Sequence, residues 1–153
     1  MANWSDILSE IDNGSNYDLV RRKYLKKLSS HTKRNVIAYY SGWLQKQNFP
    51  AETMVNDSDK NGFMSAIDKL DISKGLDLIL HTPGGDTAAT ESIVYYLKSK
   101  FKDIRVFVPQ LAMSAGTIIA CAANEIWMGQ HSSLGPNRPP AQWRVCTWHH
   151  RRV

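Results

Sequence analysis

Short apolar runs alternate with helix-like stripes along most of this chain. Residues 34–40, 75–81, 104–109 and 126–128 are apolar, β-branched or aromatic, and they predict strands. Before and between these strands, apolar residues recur every three to four positions and predict helices over 17–29, 60–70, 87–102 and 113–123. Residues 51–60 are polar and predict a loop. This alternation is typical of parallel strands with helices on their faces, so the predicted fold class is α/β.

Two of the predicted strand-to-helix turns have compositions that suit catalysis. The first is Pro83-Gly84-Gly85-Asp86, and the second is Ala112-Met113-Ser114-Ala115-Gly116-Thr117. Glycine lets backbone N–H groups come close to a substrate carbonyl, where they can stabilise a developing oxyanion. A serine among small residues at a sharp turn can expose its hydroxyl as a nucleophile. Both turns follow predicted parallel strands, and ligand sites of α/β proteins form at that end of the sheet.

The same residues also have simpler structural interpretations. Ser114 is a suitable N-cap for the helix that follows it, and Gly84-Gly85 is a common tight-turn pair. His81 ends a buried strand and suits a packed or hydrogen-bonded role better than that of a base. His131 is the only histidine between Ser114 and residue 137 that could act as a general base.

The length of the chain, its apolar runs and its charge limit the classes of function that we expect for this protein. A chain of 153 residues suits one domain with a real core. No apolar run approaches the ~20 residues of a membrane helix, and residues 1–6 do not resemble a signal peptide. We therefore expect a cytoplasmic protein without membrane association. Of the net charge of +5, four units come from arginines after residue 137, so binding of nucleic acid is not expected.

With both turns placed, the chain resembles the serine dehydrogenase proteinase family of the Clp/crotonase-like superfamily, which is related to signal peptide peptidase A. A lone Pro-Gly-Gly is a weak signal, but its spacing from the Met-Ser-Ala-Gly-Thr sequence is specific. The resemblance extends from about residue 17 to residue 136. It implies a spiral of β-β-α units, peptide-bond hydrolysis, homo-oligomeric rings or stacks, and neither a metal nor an organic cofactor. Its supporting segments are residues 80–86, 90–93, 108–109, 112–117 and 132–136.

Carried onto this chain, the resemblance implies Ser114 as the nucleophile. The N–H groups of Gly85 and Ala115 would form the oxyanion hole, and Gly84 would allow the close approach to a peptide or protein substrate. The family's base, a His or Lys, follows the nucleophile, yet no Lys occurs after Lys102 and no His lies near residues 137–139. We therefore expect a serine peptidase impaired by loss of its base. The alternatives are a non-catalytic truncated subunit and a crotonase-like enzyme acting on acyl thioesters.

The chain divides at residue 136. Residues 1–136 are expected to form a partial Clp/crotonase-like peptidase domain, incomplete at the C-terminus. Residues 137–153 form an atypical basic tail without clear periodicity, which we expect to be loosely attached because Pro139-Pro140 disfavours regular structure. Cys146, His149 and His150 in this tail do not have the spacing of a four-ligand zinc site. A native tail and a frameshift product are both compatible with the sequence.

Overall fold

A computed structural model describes residues 17–44 and 51–135 of this chain, together with Ser5 and Ser9. These ranges hold four helices, six strands and two short 3-10 turns. The helices are α1 (Tyr17–Thr32), α2 (Asp57–Ile67), α3 (Thr87–Lys100) and α4 (Ala115–Cys121). The strands are β1 (Asn35–Tyr40), β2 (Leu76–His81), β3 (Ile104–Val108), β4 (Leu111–Ala112), β5 (Glu125–Met128) and β6 (Ser133–Leu134).

The main sheet has four parallel strands in the order β1-β2-β3-β5. Parallel neighbours need crossover connections, and α2, α3 and α4 provide them. One sheet face forms the core: Leu76, Leu78 and Leu80 of β2 are fully buried there and belong to one cluster with Ile93 and Leu97 of α3. The predicted α/β fold class is therefore confirmed.

The start of α2 differs from the prediction. The helix begins at Asp57, three residues before the expected start, and residues 57–60 are helical rather than part of a loop. A capping box explains this, because the N–H of Ser58 donates to the Asn56 side chain (2.9 Å) and the N–H of Asn56 donates to Asp59 (2.8 Å). The polar residues that favoured a loop are thus the residues that begin the helix.

Two short strands were not predicted from the sequence. β4 and β6 have two residues each and pair in parallel to form a second, small sheet. Two residues are too few to show an alternating pattern, so only the pairing reveals them. β4 leads directly into the turn that carries Ser114.

An ion cluster joins the first three strands at the end of the sheet opposite to this turn. The carboxylate of Asp77 is fully buried, and it accepts hydrogen bonds from Arg34 Nε (2.7 Å) and from Arg105 Nε and Nη2 (2.8 and 2.7 Å). Burial alone would raise the pKa of Asp77, but the hydrogen bonds from the two guanidinium groups outweigh it and lower the pKa. The cluster stabilises the sheet and lies away from the candidate site.

The expectation for the tail at 137–153, and with it the division at residue 136, lies outside the described residues. Within the ranges that are described, no helix is both long enough and apolar enough to cross a membrane.

Candidate active site

The turn after β2 is held tightly by a segment that precedes α2. Gly84 has φ +104°, a value that favours glycine. The N–H of Val55 donates to the carbonyl of Gly84 (2.9 Å), and the N–H of Asp86 donates to the carbonyl of Val55 (2.8 Å). Gly85 between them lies so close to the Val55 backbone that a Cβ would be 2.7 Å from its Cα. Backbone bonds on both sides therefore fix this turn.

Asp86 ends the turn and starts α3. Its carboxylate accepts a hydrogen bond of 2.6 Å from the N–H of Ala89. This is the usual geometry of an N-cap, which satisfies one of the free donors at the start of a helix. Asp86 therefore acts as the acid that starts α3.

Ser114 has a strained backbone. It follows β4 with φ +49° and ψ −111°, outside the common regions for a residue with a side chain. Such a conformation costs on the order of 1–3 kcal/mol. Ser114 is exposed and stands at the N-cap position of α4, yet its side chain makes no capping hydrogen bond. The capping interpretation is therefore wrong, and the strand-to-helix turn has the form of a nucleophile elbow.

The two turns are in direct contact. A Cβ placed on Gly84 would lie 2.7 Å from Ser114 Cβ, 2.8 Å from the carbonyl oxygen of Met113 and 3.2 Å from the nitrogen of Ala115. Backbone hydrogen bonds join the approaches to both turns, from Thr82 N–H to Leu111 (3.1 Å) and from Met113 N–H to Thr82 (3.0 Å). The fold thus brings together two motifs that lie about 30 residues apart in the sequence.

Two backbone donors beside Ser114 are free. Among the described residues, the N–H groups of Gly85 and Ala115 have no hydrogen-bond acceptor, whereas those of Gly116 and Thr117 donate to Met113 and Ser114 (2.8 Å each). Ala115 is buried and Gly85 is half-buried, and buried backbone donors are almost always paired in native proteins. These two N–H groups, which belong to turns in contact with each other, are therefore available to a substrate oxygen.

His81 does not have the environment of a general base. It is 6% exposed, its ring stacks on Tyr40 with centroids 5.0 Å apart, and its Nε2 lies 3.2 Å from Gln110 Oε1. The packed, hydrogen-bonded interpretation is therefore confirmed. His131 is exposed in the turn between β5 and β6. No side chain within the described ranges hydrogen-bonds to the Ser114 hydroxyl, so the source of a base stays a prediction.

The end of the described chain lies beside the serine turn. Gly135 packs against the side chain of Met113, and a Cβ on it would be 3.2 Å from Met113 Cα. The Thr117 hydroxyl lies 2.9 Å from the carbonyl oxygen of Ala112 and 3.1 Å from that of Gly135. Gly135, the last described residue, therefore lies next to the residue that precedes Ser114.

Sequence reasoning missed the residues that support the site. Val55 lies in a polar stretch that gave no strand signal, yet it pairs with Gly85 in an isolated parallel bridge. Thr82 was only a turn residue in the sequence, yet it is fully buried and pairs with Ala112. Both act through pairings distant in sequence, which periodicity does not register.

Comparison with known proteins agrees with this geometry. A family model described as ClpP-like SDH-type serine proteinase matches residues 9–144. Among the relatives of the chain are two uncharacterized proteins of Methanocaldococcus jannaschii. MJ0137 is 36% identical over 123 residues, which is 79% of this chain and 43% of that relative. MJ1495 is 37% identical over 90 residues, which is 59% of this chain and 31% of that relative. The chain thus spans less than half the length of either relative. With its two strand-to-helix turns in contact, the chain belongs to the ClpP-like SDH-type serine proteinases.

Proposed function

We propose that Ser114 is the nucleophile of a serine peptidase and that the N–H groups of Gly85 and Ala115 form its oxyanion hole. The contact between Gly84 and Ser114 carries this proposal. The exposed hydroxyl of Ser114, on its strained turn, lies against the glycine turn. The N–H groups of Gly85 and Ala115 have no acceptor among the described residues. Family membership supports the class of reaction.

The chemistry follows that of other acyl-transfer serine enzymes. Ser114 Oγ attacks the scissile carbonyl carbon, a C–O bond forms, and the carbonyl oxygen takes the negative charge. The Gly85 and Ala115 donors stabilise this oxyanion, and the peptide C–N bond then breaks to release the amine. Water hydrolyses the acyl-enzyme. Gly84 allows the glycine turn to approach the serine turn this closely, because a side chain there would collide with Ser114 and Met113.

The hydroxyl proton requires a base. We assign this role to a Lys supplied from outside the described residues, either by a further segment of the polypeptide or by a neighbouring subunit. A serine without its base keeps a high pKa and is a poor nucleophile. Until such a base is supplied, Ser114 is thus expected to react slowly. An oxyanion hole and binding alone leave roughly 10³–10⁴-fold catalysis over water.

A fluorophosphonate probe tests the nucleophile directly, because it reacts with activated serines without needing a known substrate. We expect slow labelling that is abolished by Ser114→Ala and unchanged by Ser65→Ala, a control at an exposed serine of α2. Peptide mapping of the adduct must locate it on Ser114. Equal labelling of both variants would overturn the assignment. Absence of labelling in the folded wild-type protein would favour the non-catalytic subunit instead.

A further inference from the structure

Thr82 connects both turns of the candidate site. It is fully buried, and its hydroxyl accepts a hydrogen bond of 3.2 Å from the N–H of Gly84. Its methyl group packs on the other turn, because a Cβ on Gly116 would lie 2.6 Å from Thr82 Cγ2. Its backbone bonds to Leu111 and Met113 on the approach to Ser114. One side chain thus contacts the oxyanion turn through its oxygen and the serine helix through its methyl group.

A second pair of residues, Tyr39 and Asp59, supports the segment next to the glycine turn. Tyr39 is opposite Leu80 in the β1–β2 register, so these two side chains lie on the same face of the sheet. Thr82 comes two residues after Leu80, on that same face. The Tyr39 hydroxyl donates to Asp59 Oδ2 (3.0 Å), and the same oxygen accepts from the N–H of Asn56 (2.8 Å). Asp59 therefore holds the segment next to Val55, which brackets the glycine turn.

The phenol stays protonated as a donor in this setting. Burial is the main cause that raises the pKa of Tyr39 far above its usual value, and the charge and hydrogen bond of Asp59 raise it further. Buried polar groups that bond to one another in this way hold a single arrangement.

We propose that Thr82 is a positioning residue that sets the Gly84-Gly85 turn relative to Ser114, while the Tyr39–Asp59 pair holds the same turn from the side of Val55. The inference rests on the proposed function for its chemical consequence. The Thr82 hydroxyl satisfies the Gly84 N–H, and this keeps the neighbouring Gly85 N–H pointing away from internal acceptors. The methyl group sets the separation between this turn and α4. Neither Thr82 nor Tyr39 contacts substrate in this scheme.

Two substitutions at residue 82 separate the contribution of the Thr82 hydroxyl from that of its methyl group. Thr82→Val keeps the shape and removes the hydroxyl, whereas Thr82→Ser keeps the hydroxyl. Thr32→Val is the control for loss of a buried threonine hydroxyl, because Thr32 ends α1 near Arg34, at the end of the sheet opposite to the serine turn. Tyr39→Phe tests the supporting pair.

The first measurement is the rate at which fluorophosphonate labels Ser114. A misplacement of about 1 Å can cost ~100-fold in rate, so we expect a fall of about tenfold or more for Thr82→Val. The rate for Tyr39→Phe should fall by a smaller factor, and the rates for Thr82→Ser and Thr32→Val should stay close to wild type. Equal rates for Thr82→Val and Thr32→Val would overturn the proposal.

The second measurement does not depend on reactivity. In ¹⁵N-labelled protein, Thr82→Val should move and broaden the Gly84 and Gly85 amide resonances, and Thr82→Ser should restore them. Thr32→Val should leave both resonances in place. If the wild-type protein is not labelled at all, the nucleophile assignment fails while these resonances still decide the positioning role. Unchanged Gly84 and Gly85 resonances in Thr82→Val would refute it.

Discussion

Gly84→Ala tests the contact that defines the candidate site. The new methyl carbon would lie 2.7 Å from Ser114 Cβ and 2.8 Å from the Met113 carbonyl oxygen, whereas ordinary contacts begin at 3.4 Å. Because the Met113 oxygen belongs to the backbone, one of the two turns must move by about 0.6 Å. Overpacking of this kind costs about 1–3 kcal/mol. The φ of +104° adds about 1–3 kcal/mol for a residue with a side chain.

The free energy of unfolding should therefore fall by about 2–6 kcal/mol. For a domain of this size, each kcal/mol lowers Tm by roughly 2–4 °C, so Tm should fall by at least about 4 °C. The displaced turn should also slow fluorophosphonate labelling of Ser114 by about tenfold or more. Thermal unfolding followed by circular dichroism and a labelling time course measure the two effects.

Gly62→Ala is the matched control. Gly62 lies inside α2, and a Cβ there would meet nothing within 4 Å. The same glycine-to-alanine change should therefore stabilise the protein by about 0.5–1 kcal/mol, since glycine is unfavourable in helix interiors. Labelling should not change. A Gly84→Ala protein that keeps the wild-type Tm and labelling rate would show that the two turns are not in contact.

Three further predictions concern other parts of the chain. Ser114→Gly should abolish labelling. It should also raise the free energy of unfolding, measured by urea titration, by about 1–3 kcal/mol, because glycine adopts the strained conformation without cost. A variant that is less stable than the wild type would contradict this prediction. Asp77→Asn should cost about 1.5–3 kcal/mol at pH 7, because it removes the buried carboxylate that pairs with the partly buried Arg34 and Arg105, while Arg34 keeps its ion pair with Asp103. Because folding lowers the pKa of Asp77, the stability that its carboxylate contributes is present above about pH 4 and is lost as pH falls further, so the urea curves of wild type and variant should converge as the pH falls below about 4. Trp127 of β5 stacks on Phe107 of β3 with ring centroids 5.7 Å apart, and both side chains are half-buried. We expect this apolar face to promote self-association, and Trp127→Lys should reduce the association measured by light scattering. A wild-type protein that is monomeric at micromolar concentration would argue against this prediction.

Much of the architecture followed from local pattern. The apolar run before Pro83 and the β-branched run after Lys102 predicted β2 and β3 because their burial depends on side-chain type alone. The glycine turn and the serine turn were recognised for a related reason: each needs small residues at fixed positions, and a sequence shows these directly. Ser114, Gly84, Gly85 and Ala115 are therefore predicted as the candidate site by the sequence and the resemblance that it carries.

Only the tertiary structure decided how these parts meet. The sequence by itself determined the α/β alternation, the two turns and the residue types within them, since each depends on neighbours in the chain. The structure decided the φ and ψ of Ser114, the approach of Gly84 to it, and the bracketing of Gly85 by Val55. It also decided that Thr82 contacts both turns. These features depend on backbone groups that pair across about 30 residues in the chain, and apolar periodicity within one segment does not specify such contacts between distant segments.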